Sequence, residues 1–212
     1  MSRLSTQVWG PSGSRSLRFP TLEIDLLERA SQLHREAGEL MQTLQVKASL
    51  QPFGEITMTG SYFLDLMVYP DLDLYVPKVA IPLIFRAAGQ MANIGKVIRV
   101  SFENEQHPGM QGGFYLNFRV NIGNWGRPWK LDIWWLNKDI ITQKMEIMHH
   151  FKERITPENR EAILRYKHSL ITKDLRTPMY SGYYIYKAFL DEGLRDPDDV
   201  TQYLLANGID LS

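Results

Sequence analysis

Two strand-like segments, DLDLYV at 71–76 and WKLDIWWL at 129–136, limit the possible folds most strongly, because each sets aspartate inside a run that is otherwise apolar. Aspartate is a poor strand former and is rarely buried without a partner. Residues two apart on a strand share a face, so Asp71 and Asp73 project together while Leu72 and Leu74 turn the other way into a core. Asp132 sits in the same manner between Leu131 and Ile133. If the two strands are neighbours, three carboxylates converge. Mutual repulsion then calls for a cation, and hard Mg²⁺ with oxygen ligands is the natural occupant. The competing readings are a turn at Pro70-Asp71 and, for Asp132, a lone hydrogen-bonded core acid.

The chain falls into three stretches. After a Gly/Ser/Pro-containing leader to about Pro20, Leu22, Leu26, Leu33, Ala37, Leu40, Met41 and Leu44 recur at helical spacing, with Thr21 before Glu23 and Asp25 as a start signal. Residues 53–136 are strand-rich: EITMT, DLDLYV, KVIRVSFEN, GGFYLNFRVNI and WKLDIWWL, with turn signals between most of them and one helix at about 80–94. From Asn137 the pattern is helical, with Pro157 and Pro197 at helix starts and Gly193 and Gly208 at stops. The expectation is an α+β fold, a mixed sheet flanked by helices. Residues 1–137 would form an N-terminal helix plus an α/β domain, and residues 138–212 a helical region.

Composition removes several classes of function. Lys+Arg and Asp+Glu number 24 each, so no overall field gathers long nucleic acid. The absence of cysteine excludes disulfides, thiolate nucleophiles and Cys-based zinc sites. The first residues lack the apolar core of a signal peptide, and no apolar run is long enough to span a bilayer, so a cytoplasmic protein without membrane partners is expected. Oligomeric state is not legible.

Gly60-Ser61 closes an apolar strand, where backbone N–H groups and a hydroxyl can meet phosphate oxygens. Gly60-Ser61, then Asp71-Leu72-Asp73-Leu74 after nine residues, then Leu131-Asp132-Ile133, resembles the signature of the nucleotidyltransferase superfamily that includes DNA polymerase beta. Small bacterial enzymes, among them antibiotic nucleotidyltransferases, are the members it looks most like. The resemblance covers roughly residues 53–136. It implies that Gly60 and Ser61 contact a nucleoside triphosphate, expected to be ATP. It also implies that Asp71, Asp73 and Asp132 are catalytic and hold two Mg²⁺ ions, Asp132 helping to activate an acceptor hydroxyl on a small molecule, a protein or an RNA end. The alternative on the same fold is a non-catalytic nucleotide-binding regulatory or antitoxin-like module.

One departure concerns phosphate recognition. Antibiotic-modifying relatives carry a basic residue soon after Gly-Ser, whereas residues 62–67 here hold none. Lys130 is the chosen candidate for the triphosphate contact, with Lys78, Arg86, Arg127, Lys152, Arg154, Arg165, Lys167 and Lys173 as further cations. His149 and His150 with Glu146 and Glu153 share a helix face but read as part of a packed helix. The aromatic run 180–189 reads chiefly as core, and Gly112-Gly113 as a strand start rather than a phosphate loop.

Overall fold

A computed structural model describes residues 25–104, 112–171 and 175–211. The first described helix, α1 (Leu26–Thr43), starts where the Asp25 carboxylate accepts from the N–H groups of Leu27 and Glu28. Thr21 and Leu22, expected at its start, lie outside the described residues. Gln45, in the left-handed region at φ 50°, breaks the helical run, which resumes as α2 (Val46–Leu50).

The sheet contains β1 (Thr57–Thr59), β2 (Asp71–Pro77), β3 (Val97–Glu103), β4 (Phe114–Val120) and β5 (Trp129–Leu136) in the order β1-β2-β5-β4-β3. β2 and β5 are parallel and the other pairs antiparallel, so the sheet is mixed and the fold is α+β. The short helix α3 (Gly60–Leu64) follows β1 directly, and α4 (Ile81–Ala92), with Pro82 in its first turn, connects β2 to β3.

Alternation along the strands divides the sheet into two chemically different faces. Leu72, Leu74, Val76, Leu131, Ile133, Trp135, Leu116 and Phe118 are fully buried on one face, beneath Leu33, Ala37 and Leu40 of α1, Val46 and Leu50 of α2, and Ile84, Ala87 and Met91 of α4. The other face carries the polar residues. A second core is built from α5 (Lys138–Arg154), α6 (Pro157–Ser169), α7 (Ser181–Leu190) and α8 (Pro197–Ala206) around Phe151, Ile163, Leu164, Ile185, Phe189, Val200 and Leu204. Leu64 at the end of α3, with Leu66 and Val68 between α3 and β2, belongs to this second core. Thr156 caps α6 in a reciprocal pair with Asn159, ahead of Pro157. Among the described residues no helix is long and apolar enough to cross a membrane.

Candidate functional site

Register brings the three predicted acids together. In the parallel pairing of β2 with β5, Asp73 lies opposite Asp132 and Asp71 opposite Lys130. The antiparallel neighbours extend each row: Thr59 stands beside Asp73, Asn117 beside Asp132, and Arg119 beside Lys130. All of these occupy the face away from the leucine core. A strand pair shifted by one residue would have sent Asp132 into that core, so the apolar pattern that fixes the sheet also fixes the acids.

The surroundings of the carboxylates differ. Asp132 is 3% exposed. Its Oδ1 accepts from Asn117 Nδ2 at 2.6 Å and from the Tyr115 hydroxyl at 2.8 Å, and its Oδ2 accepts from Lys130 Nζ. The same ammonium stands 3.6 Å from Asp71 Oδ1, which is buried without a hydrogen-bond partner. Burial raises the Asp71 carboxyl to about 6, and Asp132 adds to the rise against the opposing pull of Lys130. Asp73 is held well above the usual carboxylate range by burial and by the charges of Asp71 and Asp132. Burial pushes the Lys130 ammonium down, but the summed charge of Asp71, Asp132 and Asp73 outweighs it and leaves Lys130 more basic than a free lysine.

Gly60 opens α3 at φ 61°, a left-handed value that favours glycine, and a Cβ there would stand 2.7 Å from Asp73 Oδ2. The turn therefore lies directly against the acids. Ser61 follows on the first turn of this five-residue helix.

Side chains from outside the sheet close the acid end. The segment between α3 and β2 is tied down through its carbonyls, to Arg160 Nε at Asp65, to Lys167 Nζ at Leu66 and to Arg29 Nε at Val68, over 3.1, 2.5 and 3.2 Å. Arg160 also pairs with the Asp65 carboxylate at 2.9 Å. Lys167, 3% exposed, donates to the Tyr186 hydroxyl at 2.9 Å. Burial lowers its ammonium to about 7, although Asp71 and Asp73 pull the other way. Tyr69, beside Asp71, has its hydroxyl 3.3 Å from Thr177 Oγ1, and burial raises its phenol.

The other cation candidates disperse. Arg127 and Lys167, with Lys130, are close enough to act on the acids, while Lys78 packs over the Phe114 ring at 4.8 Å. Arg86, Lys152, Arg154 and Arg165 are exposed, Arg165 pairing with Glu161, and Lys173 lies outside the described residues. His150 pairs with Asp191 at 2.7 Å and His149 meets the Phe63 ring edge-on. Ile185, Tyr186 and Phe189 of the aromatic run are buried, and Gly112 precedes β4 at φ 71°.

Asn117, Tyr115 and Arg119 were not anticipated from the sequence. A signal existed for Asn117: it is an amide between Leu116 and Phe118, the same break in an apolar strand that marks Asp132. Tyr115 carries no such mark, since tyrosine is an ordinary strand residue.

The donor chemistry suits Mg²⁺: three hard oxygen ligands on one face, two of them held above their normal range, and one buried oxygen lacking a hydrogen bond. Among the described residues no three acidic or histidine side chains meet around one ion-sized point. Asp132 is instead engaged by Asn117, Tyr115 and Lys130.

No protein-family model matches the chain, and no curated protein matches it. Solved structures do resemble it. The MgGTP-bound Cid1 poly(U) polymerase is 14% identical with a TM-score of 0.48 over 65% of this chain and 43% of its own. The non-canonical poly(A) polymerase complex GLD-2–GLD-3 is 12% identical with a TM-score of 0.42, over 68% of this chain and 49% of its own. The GLD-2/RNP-8 complex is 13% identical with a TM-score of 0.47, over 87% and 74%. The chain thus spans less than half the length of the first two, and likeness at this level assigns no role to a residue.

Proposed function

We propose that the chain is a metal-dependent nucleotidyltransferase that moves a nucleoside monophosphate from a nucleoside triphosphate, ATP being the expected donor, to a hydroxyl of an acceptor. A bond forms between the acceptor oxygen and the α-phosphorus, the α–β bridging bond breaks, and pyrophosphate leaves. The observation that carries this reading is register: Asp73 opposite Asp132, with Asp71 two residues away on the same face and Gly60 packed against Asp73.

Asp71, Asp73 and Asp132 would hold the ions, and two Mg²⁺ would supply charge neutralisation at the triphosphate and a lowered pKa for the acceptor hydroxyl. The chain's own part is positioning. Asn117 and Tyr115 grip Asp132 Oδ1 and so aim Oδ2, and glycine at position 60 lets the backbone approach Asp73. Ser61, at the start of α3, and the cations Lys130, Lys167 and Arg127 are the groups assigned to the triphosphate. The acceptor is a small molecule, a protein or an RNA end.

A non-catalytic nucleotide-binding module is the second reading, favoured by the Lys130 contact that covers Asp132 Oδ2. Release of labelled pyrophosphate separates the two. Asp71→Asn and Asp73→Asn should each lower turnover by at least about 100-fold, the scale of losing one preorganised charge-stabilising group, and should weaken Mg²⁺-dependent triphosphate binding. Asp132→Asn should lose turnover alike but keep much of the binding. Parent-level turnover in all three variants would refute the enzyme, while binding without turnover in the parent would support the module.

A further inference from the structure

In the ion-free chain the Lys130 ammonium sits between two of the carboxylates that would hold the ions. A carboxylate oxygen that accepts two hydrogen bonds is occupied, and Asp132 Oδ1 accepts from both Asn117 and Tyr115. Only Oδ2 can then serve a metal, and Lys130 Nζ holds Oδ2. The same Nζ is 3.6 Å from Asp71 Oδ1, within ion-pair reach but too far for a hydrogen bond, so the ammonium lies between two carboxylates and nearer to one. Strand pairing produces this directly. Lys130 is opposite Asp71 and two residues before Asp132, so one cation faces one acid across the ladder and the other along its own strand.

We propose that Lys130 is a built-in counter-ion, holding Asp132 Oδ2 beside Asp71 in the ion-free chain and displaced when a divalent cation joins those two carboxylates. The proposal rests on the metal reading above. Lys130 already takes one of the two lone-pair sites of Oδ2, and a monovalent ammonium beside a divalent ion on that one oxygen adds repulsion. The flexible four-carbon stem of lysine lets the head leave while the strand stays in register. Lys130 therefore offsets repulsion among the acids in the ion-free protein and weakens its affinity for divalent ions.

Mn²⁺ titration followed by electron paramagnetic resonance, without nucleotide, tests this on the full chain, Lys130→Met, Lys130→Gln and Arg119→Met. Arg119 lies beside Lys130 in the same row and reports the general effect of removing a nearby positive charge. Both Lys130 variants should bind Mn²⁺ at least tenfold more tightly than the parent, and Arg119→Met less than threefold. The ion-free Lys130 variants should also melt lower than the parent, with Mn²⁺ restoring the difference. Equal or weaker Mn²⁺ binding in the Lys130 variants, or an equal gain in Arg119→Met, overturns the proposal. A second measurement needs no variant: acylation of Lys130 by an amine-reactive reagent, read by peptide mass, should quicken severalfold when Mg²⁺ replaces EDTA. An unchanged or slower rate overturns the proposal. Mn²⁺ binding by none of the proteins would instead sink the metal reading itself.

Discussion

At the scale of single residues the site is a balance of like charges held out of water, and Asp71 shows its sign. Its folded value of about 6 lies above the roughly 3.9 of an unfolded aspartate, so between about pH 4 and 6 the folded chain binds more protons than the unfolded one. The stability this contributes is complete below pH 4 and lost as pH rises towards 6. Asp71→Asn mimics the protonated side chain and escapes the loss. Urea melts in EDTA should therefore show Asp71→Asn gaining on the parent between pH 4.5 and 7.5, by about 1–3 kcal/mol. Mg²⁺ should reverse the order, because only the parent keeps the charged ligand. A difference that stays flat across this range would mean that the carboxylate is not strained in the ion-free chain.

At the scale of elements, what the sequence displayed was periodicity, and what it concealed was partnership. The five strands and the helices after Asn137 stand out because apolar residues alternate in one region and recur every three to four residues in the other. Proline at 157 and 197 marks two helix starts. The acids were visible for the same reason, as breaks in a pattern. Lys167 had no such mark: in a helix that carries Arg165 and His168, one more cation looks like surface. Only tertiary packing buries it, against the Leu66 carbonyl and the Tyr186 hydroxyl, where it joins α6 and α7 to the segment before β2. Burial makes the joint sensitive to pH. The folded Lys167 titrates near 7 and an unfolded lysine near 10.4, so the unfolded chain binds more protons between those values and this residue's contribution to stability rises with pH across them. Between pH 7.5 and 9.5 the parent should gain stability relative to Lys167→Met, which has nothing to titrate there. An identical pH response in the two proteins would place the Lys167 ammonium in water and remove it from the joint.

At the scale of the whole molecule, two cores meet at the acids. The sheet supplies Asp71, Asp73 and Asp132 from the face opposite its leucine core, and the helical half supplies Lys167, Tyr186 and the clamped segment before β2. A ligand seated there is bound by side chains that belong to different cores, so its binding energy favours the state in which both are formed and docked. With 24 charges of each sign the molecule has no net field to attract an anion from a distance, and affinity must come from this local meeting of groups. Hydrogen exchange with Mg²⁺ and a non-hydrolysable ATP analogue makes the point measurable. At about a hundred times the dissociation constant, linkage adds roughly 2.7 kcal/mol to global stability. Slowed exchange should appear in β2 and β5 and also in α6 and α7, and EDTA should abolish both. Protection confined to the sheet would show that the helices are not a wall of the site, and that Lys167 serves only to hold the two cores together.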